Sequence, residues 1–350
     1  MIGIIGSFCD NRDSASGQAV RTTMLYKILC DKYGENNIYR VNTHGFRSNP
    51  IRVVFKTIGC IYKCKNIIVM VHENGRKVFF PILAFSAKLF KRNVYHNVIG
   101  GSFAEYLEEN PRLIKSVKRF KINWVQMQSQ IEKLKQIGIN NTELLPNTKT
   151  IRVLTEDRME EYKDEIFRFC MCSRISIAKG TEAAIDAIEE INSRYGRIIV
   201  TLDIYGKPDA DYEERFRKKL KACSSTIKYC GFIPNEETVE RLTGYYMLLF
   251  PSTYEGEGFP GTVWDAFAAG VPIIATNWHY NAEIITDGIT GYIFDYKNMA
   301  ELVDRIEFAI HHRVEVNKMR FECLKAIQQY TPQNVLPIVY KYFDSSIAKE

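Results

Sequence analysis

The sequence lacks the features that would place it inside a membrane or in a secreted, disulfide-built class. Its longest apolar run, Val78–Phe85, is interrupted by Pro81, whereas a spanning helix needs about 20 apolar residues. The first residues pass from Ile2–Ser7 into polar ones without a basic start, a long apolar stretch or a small-residue cleavage site, so no secretory leader is expected. Cysteine numbers nine, an odd count, and neither Cys60–Cys64 nor Cys170–Cys172 has a second pair at zinc spacing. A reducing cytosol suits these thiols best, with Cys170 and Cys172 expected in the core. There is no Gly-x-Gly-x-x-Gly, no low-complexity segment and no short-period repeat, and no zinc-finger or RNA-binding signature. These absences set aside a dinucleotide fingerprint and a nucleic-acid partner.

What is present suits two soluble domains. The chain has 350 residues, 46% hydrophobic and 25% charged, a balance that excludes a disordered chain, a collagen or a coiled coil. The net charge of +6 conceals an asymmetry. Residues 1–150 carry 23 Lys+Arg against 10 Asp+Glu, leaving 24 against 31 in the remainder. Such an imbalance points the first half toward an anionic surface, unless the two solvated surfaces are simply unrelated.

Short β-branched runs alternate with amphipathic stretches. Strands are expected at Ile2–Ser7, Ile38–Val41, Ile67–Val71, Val94–Val98, Ile122–Gln126 and Leu144–Leu145, with helices at Gly17–Cys30, Pro81–Lys91 and Gln130–Gly138. After the turn Pro146-Asn147-Thr148 the alternation restarts, with strands at Phe167–Met171, Ile198–Tyr205, Ile227–Tyr229, Met247–Phe250, Ile273–Thr276 and Tyr292–Phe294 and a helix at Lys179–Ser193. Two such series predict an α/β protein of two doubly wound, Rossmann-like domains, 1–150 and 151–330, with a ligand cleft at the carboxyl ends of the strands.

The most informative stretch is Pro251–Pro272, which begins where a strand ends. Gly258 and Gly261 let the backbone approach a ligand, and a helix starting near Gly261 or Thr262 would point its free N–H groups at an anion. That start would put Asp265 in the first turn and Glu257 in the loop before it, two carboxylates spaced to accept sugar hydroxyls. Upstream, Arg174 and Lys179 flank a strand-to-helix turn and make a phosphate clamp without a metal. Asp209-Ala210-Asp211 reads as the metal-binding Asp-x-Asp, but between Lys207-Pro208 and Glu213–Lys219 it is expected to be a solvated loop.

Together these segments resemble the retaining family 4 glycosyltransferases. The family's Glu, seven residues, Glu signature, followed by Ala-Met-Ala-Cys-Gly-Val-Pro, is similar to Glu257 and Asp265-Ala266-Phe267-Ala268-Ala269-Gly270-Val271-Pro272, with Asp for the second Glu. The resemblance implies the GT-B architecture, with the two domains facing a central cleft and a tail, 331–350, crossing back to the first domain. It gives Glu257 the donor sugar and Asp265 the ribose. It gives Arg174 and Lys179 the diphosphate, with Ser173 in place of the usual Gly. Gly258, Phe259, Pro260, Gly261 and Thr262 would line the donor site, and Phe232, in Gly231–Asn235, the base. No cofactor and no metal are implied. The donor would be a UDP- or GDP-sugar.

The first half is less diagnostic. Gly17 opens a helix after the first strand, and His72, His96 and Gly100 lie at or beyond strand ends, so all four are expected at the acceptor side of the cleft. A lone His is more often structural than catalytic. In Pro111–Lys121, Arg112, Lys115, Lys118, Arg119 and Lys121 interleave with Leu113, Ile114, Val117 and Phe120, the profile of a helix lying on an anionic membrane. Arg47, Arg52, Lys56, Lys63 and Lys65 add a second basic stretch. The expected protein is therefore a cytoplasmic, peripheral enzyme of capsule, O-antigen or exopolysaccharide synthesis that glycosylates a saccharide or lipid-linked saccharide. The alternatives are a nucleotide-sugar epimerase of the same fold, a nucleic-acid binder using the basic half, and a non-catalytic scaffold.

Overall fold

A computed structural model describes residues 1–9, 17–46 and 48–344. The chain divides into two compact units, Met1–Lys149 with Val335–Glu350, and Thr150–Asn334. Each is built on one sheet of six strands. The first holds β1 (Ile2–Gly6), β2 (Ile38–Asn42), β3 (Asn66–Met70), β4 (Asn93–Asn97), β5 (Ile122–Val125) and β6 (Thr142–Leu144). The second holds β7 (Phe167–Cys172), β8 (Val200–Tyr205), β9 (Ile227–Gly231), β10 (Met247–Phe250), β11 (Ile273–Thr276) and β12 (Gly291–Phe294).

All pairings are parallel. The second sheet runs β12-β11-β10-β7-β8-β9, the Rossmann order, with its switch point between β10 and β7. The first runs β2-β1-β3-β4-β5-β6, which is the flavodoxin-like order with its switch between β1 and β3. Central strands are apolar throughout because helices cover both faces. In β3, Ile67 and Val69 enter one core while Ile68 and Met70 enter the other, the two-residue period of a pleated strand.

Three expectations change. The helix expected at Pro81–Lys91 spans Glu73–Leu89 and carries Pro81 inside it. Proline lacks one N–H, so the helix gives up the bond to the Lys77 carbonyl, and the burial of Phe79, Phe80, Leu83 and Ala84 offsets that loss. Pro50–Lys63, known from sequence as a basic stretch, is a helix capped by Asn49, whose side chain accepts from the Arg52 N–H at 3.2 Å. Finally, Pro111–Lys121 is not a surface helix. It forms a 3-10 turn, Pro111–Leu113, and a single helical turn, Ile114–Val117, and it buries Leu113, Val117 and Phe120. Those apolar side chains are used by the core.

The tail helix Pro332–Tyr340 buries Val335, Leu336 and Val339, and Phe343 packs against Tyr95 with ring centroids 5.1 Å apart. Tyr33 donates to Asp344 at 2.6 Å and Tyr342 to Glu143 at 2.8 Å, fixing the tail to the first unit. The nine cysteines are free. Among the described residues no helix is long and apolar enough to cross a membrane.

Candidate active site

Chemistry-bearing side chains of the second unit gather where β7 and β10 end, at its switch point. β7 leads through Ser173–Ser176 into a 3-10 turn, Ile177–Lys179, and the helix Thr181–Tyr195. β10 leads through Pro251–Pro260 into the helix Gly261–Ala268. The two loops touch: the Thr253 N–H donates to the Ala178 carbonyl at 2.8 Å. Gly180 sits at φ +71, and a Cβ there would lie 2.3 Å from the Pro251 carbonyl oxygen. Only glycine admits both the left-handed backbone and that approach.

This crossing brings Lys179 onto Glu257. Their ion pair is buried, with the residues 7% and 8% exposed. Ser252 donates to the same carboxylate at 2.9 Å, and the Thr276 hydroxyl secures Ser252 through its carbonyl at 2.6 Å. The Lys179 ammonium also lies 4.8 Å from the centre of the Tyr254 ring, and the Arg174 guanidinium lies 5.1 Å from it. Tyr254 is held by Trp278, whose indole N–H donates to its carbonyl at 2.9 Å. Arg174 is half exposed and reaches Asp209 at 3.4 Å. Asp209 thus has a definite neighbour, while the Asp-x-Asp remains a loop before the helix Glu213–Ala222. Among the described residues no group of three or more His, Cys, Asp or Glu side chains is gathered to hold a metal ion.

The remaining residues expected at the donor side are distributed around this centre. Asp265 is buried and stands fifth in its helix rather than in the first turn, because the helix begins at Gly261. Gly258 is half-buried, and Pro260 precedes the helix as a buried residue. Gly261 is exposed, and a Cβ on it would meet nothing within 4 Å, so the helix start is open to a ligand. The Thr262 hydroxyl is buried without a hydrogen-bond partner, a donor that an anion at the helix start could accept from. The Phe259 ring is withdrawn into packing against Trp264 and Tyr330, at 5.0 and 4.7 Å, so it shapes the wall from behind. Phe232 projects from the end of β9 and is 70% exposed.

The four candidates of the first unit separate. The loop before Gly17 falls outside the described residues, and Gly17 itself starts the helix Gly17–Tyr33. His72 is exposed and directly precedes the helix at Glu73. Gly100, at φ +89, accepts from the Gln130 side chain at 2.9 Å. His96 is fully buried among Phe80, Phe103 and Phe120, bonded to Asn123 at 3.3 Å, and does not face solvent. Burial, aided by the positive Arg76, holds its pKa well below the ordinary 6.5. Its position near a strand end suggested a cleft residue, but the pleat turns that side chain into the core.

Sequence reasoning missed Ser252 and Tyr254, whose available signal was their place directly after β10. Asp209 was named only within the discounted Asp-x-Asp, and its pairing with Arg174, on a different strand's loop, was not foreseen. In the first unit the missed groups are Arg21 and Arg76. Arg21 donates to Asn97 at 3.1 Å, and Arg76, 3% exposed, donates to the Ile99 carbonyl at 3.1 Å. Burial lowers the pKa of each to about 10.

The second unit thus sets two cations, a buried carboxylate and a helix start at the switch point of a doubly wound parallel sheet, where sheets of this kind bind their ligands. More particularly, residues 155–328 match the family model described as Glycosyl transferases group 1. It is 25% identical over 175 residues to an uncharacterized 41.2 kDa protein in the cps region of Klebsiella pneumoniae, a match covering 50% of this chain and 45% of the relative. It is 27% identical over 151 residues to the UDP-N-acetylglucosamine–peptide N-acetylglucosaminyltransferase GtfA subunit of Streptococcus gordonii, covering 42% of this chain and 28% of that protein. The chain thus spans less than half the length of these curated relatives. The crystal structure of Anabaena Alr3699/HepE in complex with UDP superposes with a TM-score of 0.75 at 14% identity, covering 98% of this chain and 99% of that one. At that identity the likeness is one of fold, and the fold is GT-B.

Proposed function

We propose that the protein is a retaining glycosyltransferase that moves a sugar from a nucleoside-diphosphate sugar to an acceptor hydroxyl without a metal ion. The observation that carries this reading is the buried Lys179–Glu257–Ser252 cluster at the switch point, beside Arg174 and an open helix start. UDP is the favoured base carrier over GDP, because the solved HepE complex contains UDP. The acceptor is a saccharide or lipid-linked saccharide of capsule, O-antigen or exopolysaccharide synthesis, supported by the relative from a cps region. The GtfA subunit named above is an N-acetylglucosaminyltransferase, which supports transfer over the epimerase alternative.

In the reaction the bond between the anomeric carbon and the diphosphate oxygen breaks as the bond to the acceptor oxygen forms on the same face. The acceptor proton passes to the leaving phosphate. Negative charge grows on the diphosphate, and Arg174, Lys179 and the donors of the helix start would stabilise it. Glu257 is the buried partner of Lys179. A diphosphate would take its place and free Glu257 to accept hydrogen bonds from the sugar. Asp265 would hold the ribose hydroxyls. Gly17, His72 and Gly100 are the proposed acceptor-side positions.

The test is incubation of the protein with UDP- and GDP-sugars and a lipid-linked saccharide, with the anomeric configuration of the product read by NMR. Retention with a UDP-sugar is expected. An inverted product, or turnover only with an added divalent ion, overturns the mechanism.

A further inference from the structure

The first unit leaves a large apolar surface uncovered. The helix Pro50–Lys63 turns Val53, Thr57, Cys60 and Ile61 into the core and Ile51, Val54, Phe55, Ile58 and Tyr62 into solvent. Those outward positions recur at three- and four-residue spacing, so they form a second apolar stripe opposite the first. Phe55 is 69% exposed and Tyr62 81%. The helix Glu73–Leu89 packs into the same core through Phe79, Phe80, Leu83 and Ala84. It exposes Ile82, Phe85 and Leu89, with Phe90 just beyond its end. Arg92 donates to the Tyr62 carbonyl at 3.1 Å and ties the far ends of the two helices together. Among the described residues of this unit, Val20 is the one exposed large apolar side chain that lies elsewhere.

The charge around these stripes is of one sign. Residues 36–104 contain 11 Lys+Arg and a single acid, Glu73. Arg52, Lys56, Lys63, Lys65, Lys88 and Lys91 form no ion pair with a described residue. Long cationic side chains beside an apolar stripe can keep their heads in water while the stripe is buried.

We infer that the face formed by Pro50–Lys63 and Glu73–Phe90 docks on an anionic phospholipid surface. The apolar side chains enter the acyl boundary and the lysines and arginines meet the head-group phosphates. A second copy of the chain is a poor occupant, since an isologous contact would set two cationic rims against each other without acids to pair them. Nucleic acid would need the cations, not aliphatic stripes, at the centre of the face. The surface is distinct from Pro111–Lys121, whose apolar residues are buried. The inference goes beyond the proposed transfer reaction and does not depend on it.

The test is flotation of the full chain with phosphatidylcholine vesicles, with and without phosphatidylglycerol, at low and high salt. The protein is expected to float with the anionic vesicles at low salt and much less under the other conditions. Phe55→Ser with Phe85→Ser should reduce that binding at least ~10-fold. Lys56→Ala with Lys88→Ala should lose the preference for the anionic lipid, and Lys115→Ala with Arg119→Ala should leave it intact. Undiminished binding by the double Phe variant overturns the assignment, as does failure of the unaltered protein to bind anionic vesicles. Self-association abolished by the Phe variant, without vesicle binding, would show that a second copy covers the face. A thermal shift with UDP, read on the same variants, reports folding and the donor site, so failure of the donor reading shows there and not in the flotation.

Discussion

The two units share a construction and differ in where they place their charge and their apolar surface. The second unit keeps its exposed large apolar side chains scattered and pairs its central cation, Lys179, with a buried carboxylate. The first concentrates exposed apolar residues on two neighbouring helices, and its half-buried Arg21 and buried Arg76 bond to amide and carbonyl oxygens. Under the two proposals above, the first arrangement would let Lys179 exchange its carboxylate for a donor diphosphate, and the second would meet an anionic lipid surface.

The contrast can be broken first at Lys179. Replacing it with alanine should lower turnover at least ~10²-fold, as removal of a charge-stabilising donor does elsewhere. Steady-state kinetics on a UDP-sugar check this, with Lys179→Ala/Glu257→Gln as the control that removes the stranded carboxylate. Near-normal turnover would mean that the second unit's cluster is structural.

Next come two glycines at positive φ. Gly180 is crowded by Pro251, whereas Gly100 has nothing within 4 Å of a Cβ position. Gly180→Ala should cost about 3 kcal/mol or more, because strain and a backbone clash combine. Gly100→Ala should cost only about 1 kcal/mol, the conformational part alone. Urea unfolding of both variants measures the difference, and equal losses would remove the claim that the Lys179 loop is held by close packing.

Protonation gives a smaller effect. The buried His96 stays neutral in the folded chain, while the unfolded imidazole gains a proton near pH 6.5. Its contribution to stability is therefore complete above about pH 6.5 and is lost as the pH falls below it, with a slope of at most ~1.4 kcal/mol per pH unit. His96→Leu should flatten the stability profile below pH 6.5 relative to the unaltered chain. An unchanged slope would show that the ring reaches solvent.

The smallest change is expected on the apolar face. Phe55→Ser should leave stability within about 0.5 kcal/mol, although Phe80→Ala, in the core of the same unit, should cost about 3–5 kcal/mol. Thermal unfolding distinguishes them. A large loss from Phe55→Ser would mean that its ring is packed within the chain.

Much of the second unit was legible beforehand because its chemistry is contiguous. Glu257, the glycines and Asp265 fall in one stretch after β10, and Arg174 and Lys179 fall in another after β7. Local order alone marks both as loops at a sheet edge. The pairing of Lys179 with Glu257 was not legible, since the two residues lie 78 positions apart and meet only because β7 and β10 are neighbours in the sheet. In the first unit periodicity misled twice. Pro81 made the helix Glu73–Leu89 look as if it began at Pro81, since a missing N–H is visible in sequence and the packing that offsets it is not. Pro111–Lys121 showed a basic, amphipathic pattern that Pro50–Lys63 shows equally well, and both have apolar positions that a core could take.

The sequence by itself therefore determined the alternation of strands and helices, the two-unit organisation and the residue types at the donor side. These follow from local periodicity and from short motifs that a chain carries wherever it folds. Tertiary structure alone decided strand order, the pairing of cation with carboxylate, the burial of His96 and which apolar stripe is left facing water. Each of these depends on contacts between distant segments, and burial is a property of the packed chain, not of the residue.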